Sequence, residues 1–185
     1  MKIIVGISGA TGVFMGYRLM QILRELDICQ IHLIISEGAV KNFALESDIA
    51  IEQVQALADF CYENNNLAAA ISSGSFKTDG MIVLPCSMKS LSGIANGYAD
   101  NLLVRAVDVC LKENRRVVLA PREMPLGKVH IKNMLTAQEL GCTIIPPMLT
   151  FYNNADSLDK QITHIIGKIL MQFDINIKEF KPWQG

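Results

Sequence analysis

Short, unbroken apolar runs alternate with longer amphipathic stretches almost from end to end of the chain. Residues 3–8 predict a buried strand, and the spacing over about residues 12–25 predicts a helix behind it. A second strand at 31–36 leads into helices across 38–46 and 49–59. Residues 60–80 carry weak signals, with Asn64-Asn65-Asn66 and Ser72-Ser73-Gly74-Ser75 marking loops around a small apolar patch at 67–71. From Met81 the pattern sharpens into a strand, a short helix at 88–95 and a longer one at 101–112. A strand at 117–120 and a helix at 129–140 follow, with Gly141 suited to cap that helix. In the last helix, at 157–173, Leu158, Ile162, Ile165, Ile166, Ile169, Leu170 and Phe173 form one stripe. Gln161, His164, Lys168 and Gln172 form the opposite one. Alternation of this kind predicts an α/β fold, a parallel sheet covered on both faces. No repeat or linker interrupts it, so residues 1–185 are expected to form a single domain, with 174–185 a C-terminal tail.

Three strands run straight into proline: Met81-Ile82-Val83-Leu84-Pro85, Val117-Val118-Leu119-Ala120-Pro121 and Thr143-Ile144-Ile145-Pro146-Pro147. Proline cannot donate to a sheet ladder, so each is expected to end its strand and start a loop. In an open α/β sheet, ligands bind beyond the carboxyl ends of the strands. The segments after the prolines therefore hold the candidate chemistry: Cys86-Ser87-Met88-Lys89, Arg122-Glu123-Met124-Pro125, and Met148 through Asn153.

Composition narrows the options. The chain has 185 residues, 50% hydrophobic and only 19% charged. No run approaches the roughly 18 apolar residues of a membrane span, so the excess apolar surface is expected to lie between subunits of a homo-oligomer. A net charge of −1 gives no field for nucleic acid or an anionic membrane. The five cysteines form no CxxC pair and no disulfide framework, which fits a reducing cytoplasm. The three histidines form no ligand motif, and no metal is expected.

The turn Gly6-Ile7-Ser8-Gly9-Ala10-Thr11-Gly12 either brings a phosphate to backbone N–H groups at a helix start or is simply a tight β–α turn. Ser8 replaces the middle glycine of the dinucleotide fingerprint, so a mononucleotide suits it better than NAD. Ser87 and Ser90 can cap the following helix or hold an oxyanion. Cys86, with no nearby histidine in sequence, reads as a small buried residue rather than a nucleophile. Arg105 and Lys112 share a helix face with Asp108, where an Asp108–Lys112 pair is the plain expectation. Arg122 and Glu123 at a strand tip are either a phosphate grip beside a proton-transfer carboxyl or a surface ion pair. Tyr152 belongs either to the crevice or to packing. Trp183, in a polar tail, is expected to dock on this or a neighbouring subunit.

Taken together, residues 71–81, Pro85-Cys86-Ser87-Met88-Lys89, residues 101–113 and Pro121-Arg122-Glu123-Met124-Pro125-Leu126 make the chain resemble the UbiX family of flavin prenyltransferases. That family includes the small B subunits of hydroxyarylic-acid decarboxylase systems. The resemblance implies a three-layer Rossmann-like (flavodoxin-like) fold, a dodecamer with FMN at subunit interfaces, and no metal. It implies transfer of a dimethylallyl group from dimethylallyl monophosphate to reduced FMN, with the product passing to a UbiD-type decarboxylase. By position, Gly9, Ala10, Thr11, Ser36, Ser87, Arg105 and Arg122 are implied to contact FMN. Lys112, Tyr152 and Lys168 are implied to hold the donor phosphate. Glu123 is implied to manage protons, and Glu46, near the active site, is implied to be catalytic with it. Lys168 stands where the family usually has arginine, and Thr11 where many members have serine. The rival readings are a flavin-dependent cysteine decarboxylase, disfavoured by Pro85-Cys86-Ser87-Met88-Lys89-Ser90, and a noncatalytic FMN-binding subunit of a hydroxyarylic-acid decarboxylase.

Overall fold

Six parallel strands form one sheet in the computed structural model, which describes residues 1–183. They are β1 (Lys2–Ile7), β2 (Gln30–Ile35), β3 (Phe60–Glu63), β4 (Gly80–Cys86), β5 (Arg116–Pro121) and β6 (Thr143–Ile144), in the order β3-β2-β1-β4-β5-β6. This is the doubly wound Rossmann order, with the reversal of direction between β1 and β4. The helices are α1 (Val13–Leu26), α2 (Glu37–Glu46), α3 (Ile51–Gln55), α4 (Met88–Ala95), α5 (Leu102–Lys112), α6 (Lys128–Glu139) and α7 (Leu158–Leu170). Alternate strand residues point to opposite faces, so Ile3, Val5 and Ile7 enter one core and Ile4 the other. The helices α1, α2, α3 and α7 cover the first face, and α4, α5 and α6 cover the second. With both faces covered, the strands read as continuous apolar runs.

Three local expectations need correction. β3 was hidden in the weak segment, because it is a four-residue edge strand with three of its residues exposed. The helix expected over 49–59 contracts to Ile51–Gln55. Pro85 does not end its strand: β4 continues to Cys86 through a register irregularity between Val83 and Cys86, where proline's missing N–H breaks no regular ladder bond. On α7, His164 of the stripe opposite the apolar one is buried. The tail folds back over it, with Phe180 packed so closely on Gly167 that a Cβ there would lie 2.5 Å from the Phe180 Cβ. Trp183 meets Tyr152 edge-on at 5.3 Å, as its docking was expected to do, while positions 184 and 185 of the tail lie outside the described residues.

Several large apolar side chains remain uncovered. Phe151 is 84% and Met124 79% exposed, and Val129, Ile131 and Leu135 project from α6. Apolar exposure on this scale marks an association surface. Among the described residues no helix is long and apolar enough to cross a membrane.

At the β2–β3 edge, His32 stacks between Phe60 at 4.8 Å and Tyr62 at 5.9 Å, with its Nδ1 3.0 Å from the Tyr62 hydroxyl. Burial first, and then the Lys2 cation, holds its pKa below the usual histidine value. The unfolded chain therefore takes up a proton sooner as pH falls. Stability from this site is complete above the ordinary histidine pKa and is lost as pH falls from there through the folded value. The thermal midpoint is expected to drop between about pH 7 and 5, and His32→Phe to flatten that slope. Equal slopes in both proteins would remove His32 as the cause.

Candidate active site

The loops beyond the carboxyl ends of β1, β2, β4 and β5 enclose a crevice of about 890 Å³. It lies at the switch point, where sheet topology places ligand sites. Gly9, Ser36, Ser87 and Glu123 line it together, drawn from four different strand ends. Asn64, Lys41 and Lys89 share the lining, as does the first turn of α5.

Ser8 ties the two central loops together. It is fully buried, its hydroxyl donates to the Pro85 carbonyl at 3.0 Å, and its oxygen accepts the Ser87 N–H at 2.7 Å. The sequence showed Ser8 only as an interruption of a glycine motif. In the fold it clamps β1 to β4 across the switch point. Removing the hydroxyl in Ser8→Ala leaves the Ser87 N–H without this acceptor. The expected cost is about 1–3 kcal/mol, measurable by urea denaturation, and an unchanged midpoint would deny the clamp.

The glycine turn is arranged differently from a phosphate cradle. Gly12 sits at φ 91°, a left-handed conformation suited to glycine, and its N–H donates to the Glu46 carboxylate at 2.7 Å. The start of α1 thus already faces a protein carboxylate, which the helix dipole stabilises. Ala10 is held in the turn by an N–H bond to the Ser8 carbonyl at 2.8 Å, and Thr11 beside it is exposed. Gly9 packs on Gly38 so closely that a Cβ on Gly9 would meet the Gly38 Cα at 3.0 Å. Both glycines line the crevice and bring no side chain to it.

Ser36 and Ser87 both cap helices, accepting N–H bonds from Ala39 and Ser90, each at 3.2 Å. Capping and ligand binding are compatible here. The Ser36 O–H remains a donor, and Ser87 donates to the Ser90 hydroxyl at 3.1 Å, leaving the Ser90 O–H to donate onward. In sequence Asn64 is only a loop signal. Its carbonyl and side-chain oxygens accept the N–H groups of Leu102 and Leu103 at 2.7 and 3.0 Å, holding the start of α5 against the crevice. That role becomes visible only once β3, which ends just before it, is recognised.

At the end of β5, the Arg122 N–H donates to the Cys86 carbonyl at 3.1 Å, and its guanidinium has no ion-pair partner among the described residues. Arg122 and Glu123 are therefore not an ion pair. The Glu123 carboxylate accepts the Met124 N–H at 3.0 Å. Cys86 is fully buried, and burial pushes its thiol far above the usual range, which removes it as a nucleophile.

The remaining candidates lie elsewhere in the chain. Arg105 donates to the Ser72 carbonyl at 3.2 Å and pairs with Asp108 at 2.6 Å, so the expected Asp108–Lys112 pair does not form. Lys112 instead approaches Glu113 at 3.4 Å, at the far end of the helix whose first turn lines the crevice. From Leu102 to Lys112 is ten residues, about 15 Å along the axis. Tyr152 and Lys168 flank His164 on the α7 side, on the opposite sheet face from α5. Arg116 donates to the Gln172 carbonyl at 2.6 Å, which anchors the carboxyl end of α7 near the start of β5. Glu123 lies past the other end of that strand, which is itself about 17 Å long. One chain thus brings Gly9, Ser36, Ser87 and Glu123 to the crevice lining, while Arg105 and the three phosphate candidates lie outside it.

Comparison with known proteins agrees with this architecture. Residues 1–173 match the family model described as Flavoprotein. A probable UbiX-like flavin prenyltransferase of Sedimentibacter hydroxybenzoicus is 65% identical over 185 residues, covering all of this chain and 98% of that protein. A dodecameric FMN-dependent UbiX-like decarboxylase from Escherichia coli O157:H7 superposes with a TM-score of 0.97 at 48% identity, each chain fully covered. AnUbiX (PadA1), solved with FMN and dimethylallyl pyrophosphate, superposes with a TM-score of 0.96 at 42% identity, over 100% of this chain and 97% of that one. With a crevice at the switch point and likeness along its whole length, the chain belongs to the UbiX-like flavin prenyltransferases.

Proposed function

We propose that the crevice binds FMN and that the protein transfers a dimethylallyl group from dimethylallyl monophosphate to the reduced flavin. The observation that carries this reading is the convergence of Gly9, Ser36, Ser87 and Glu123 on one crevice. The fit to a flavin is physical: about 890 Å³ lies within the usual range for small-molecule sites, and the closely packed Gly9 and Gly38 line it without side chains. The Ser36 and Ser90 hydroxyls, with Lys41 and Lys89, supply polar anchors. Ala10, Thr11, Arg105 and Arg122 are assigned to the flavin as the resemblance implies, and Glu46 supports the Gly12 turn. Reduced FMN, when bound, supplies the nucleophilic ring that receives the prenyl group.

The protein's share is to hold the donor and absorb the charge that develops on departing phosphate. Lys112, Tyr152 and Lys168 take the phosphate, and Glu123 transfers the proton it needs on leaving. Because Lys112 and Lys168 lie on opposite sheet faces away from the crevice, each complete site is built from several copies. The uncovered apolar residues of α6 and the Met124 and Phe151 loops provide the contact surface, and a dodecamer fits the 0.97 likeness to a dodecameric relative. Five free cysteines suit a cytoplasmic location. The prenylated flavin would then serve a UbiD-type decarboxylase. A coupled assay tests that handover: flavin treated with this protein should activate a cofactor-free UbiD-type decarboxylase, whereas untreated FMN should not. Equal activity from both flavins would end the reading.

A further inference from the structure

We propose that His164 is a positioning residue that aims the Tyr152 hydroxyl at the phosphate of the prenyl donor. This rests on the reading that Tyr152 and Lys168 hold that phosphate. His164 is only 4% exposed, midway along α7. Its ring meets Tyr152 edge-on at 5.7 Å and packs against Phe180 at 4.9 Å. Its Nε2 lies 3.5 Å from the Tyr152 hydroxyl oxygen, and its Nδ1 is buried without a partner among the described residues.

A buried ring nitrogen without a partner costs stability, and phenylalanine would fill the same slot without that cost. The polar ring is therefore explained by what Nε2 does. With the proton on Nε2, the imidazole donates to the phenol oxygen and the Tyr152 O–H stays free to donate outward. The buried Nδ1 is then a bare lone pair rather than a stranded N–H. Burial, and then Lys168, keeps the ring below its usual pKa and so neutral. Lys168 lies one helical turn further along α7, so the phenol and the ammonium flank the same histidine. Trp183 meets Tyr152 edge-on as well, so packing holds the phenol ring and His164 sets its hydroxyl. A donor aimed in advance binds phosphate with less ordering cost.

The test is the dissociation constant of dimethylallyl monophosphate for FMN-loaded protein carrying His164→Phe, His164→Gln, Tyr152→Phe and the His164→Phe/Tyr152→Phe double change. His164→Phe is expected to weaken binding about 10-fold and leave FMN affinity unchanged. His164→Gln, which keeps an N–H donor, should return to within about 3-fold of the parent. In the Tyr152→Phe background His164→Phe should cost less than about 2-fold, because the hydroxyl it aims is gone. If His164→Phe does not fold, His164→Leu takes its place with the same expectations. A Tyr152→Phe variant that binds normally would remove the phosphate reading of Tyr152 and this proposal with it. Weakened binding in Tyr152→Phe alongside normal binding in His164→Phe, or losses that multiply in the double variant, would overturn the positioning role alone.

Discussion

Glu123→Gln is expected to slow prenyl transfer by about 10²–10⁴-fold while FMN stays bound, the loss typical of a removed acid/base group. Glutamine keeps the shape of the side chain and can still accept the Met124 N–H that the carboxylate accepts at 3.0 Å. What it cannot do is give or take a proton. Glu123 is well placed for proton transfer, because it follows the last buried residues of β5 and lines the same crevice as the Ser36 and Ser87 caps. Phosphate leaves readily only if its growing charge is met by protons or cations already in position. Single-turnover rates of the FMN-loaded variant measure the effect directly. Full activity would take Glu123 out of the mechanism and leave proton transfer to solvent.

Two inactive variants should restore each other. Lys168→Ala, by removing a cation proposed to meet the leaving phosphate, is expected to cost about 10²–10³-fold. Within one chain Lys168 sits near the carboxyl end of α7, which is tied to the start of β5, while Glu123 lies beyond that strand's end. If each site takes Glu123 from one copy and Lys168 from another, equal co-expression of Glu123→Gln and Lys168→Ala chains leaves about a quarter of sites with both native residues. Activity should then rise far above either parent. Mixed oligomers no more active than the two parents would mean that one chain supplies both residues, against the distances in the fold.

The alternating apolar runs made the sheet, its two covered faces and the crevice end legible in sequence, because buried parallel strands leave continuous hydrophobic blocks. β3 escaped for the opposite reason: Phe60-Cys61-Tyr62-Glu63 is a short edge strand, largely exposed, and so carries no such block. Pro85 misled because a strand irregularity tolerates proline where a regular ladder does not. Within the site, Ser87 and Glu123 followed from their places at strand ends. Ser8 and Asn64 did not, since a hydroxyl or amide that bonds backbone 77 or 39 residues away leaves no local pattern. The burial of His164 left no signal in the helical spacing because its cover, Phe180, comes from a tail that sequence periodicity cannot fold back.

The most direct measurement is anaerobic incubation of the purified protein with reduced FMN and dimethylallyl monophosphate, followed by mass spectrometry of the extracted flavin. The proposed activity predicts a flavin heavier by one five-carbon isoprenoid unit, absent when the donor is omitted. Unmodified FMN recovered with the protein, with the monophosphate and the diphosphate donor alike, would contradict prenyl transfer by this chain.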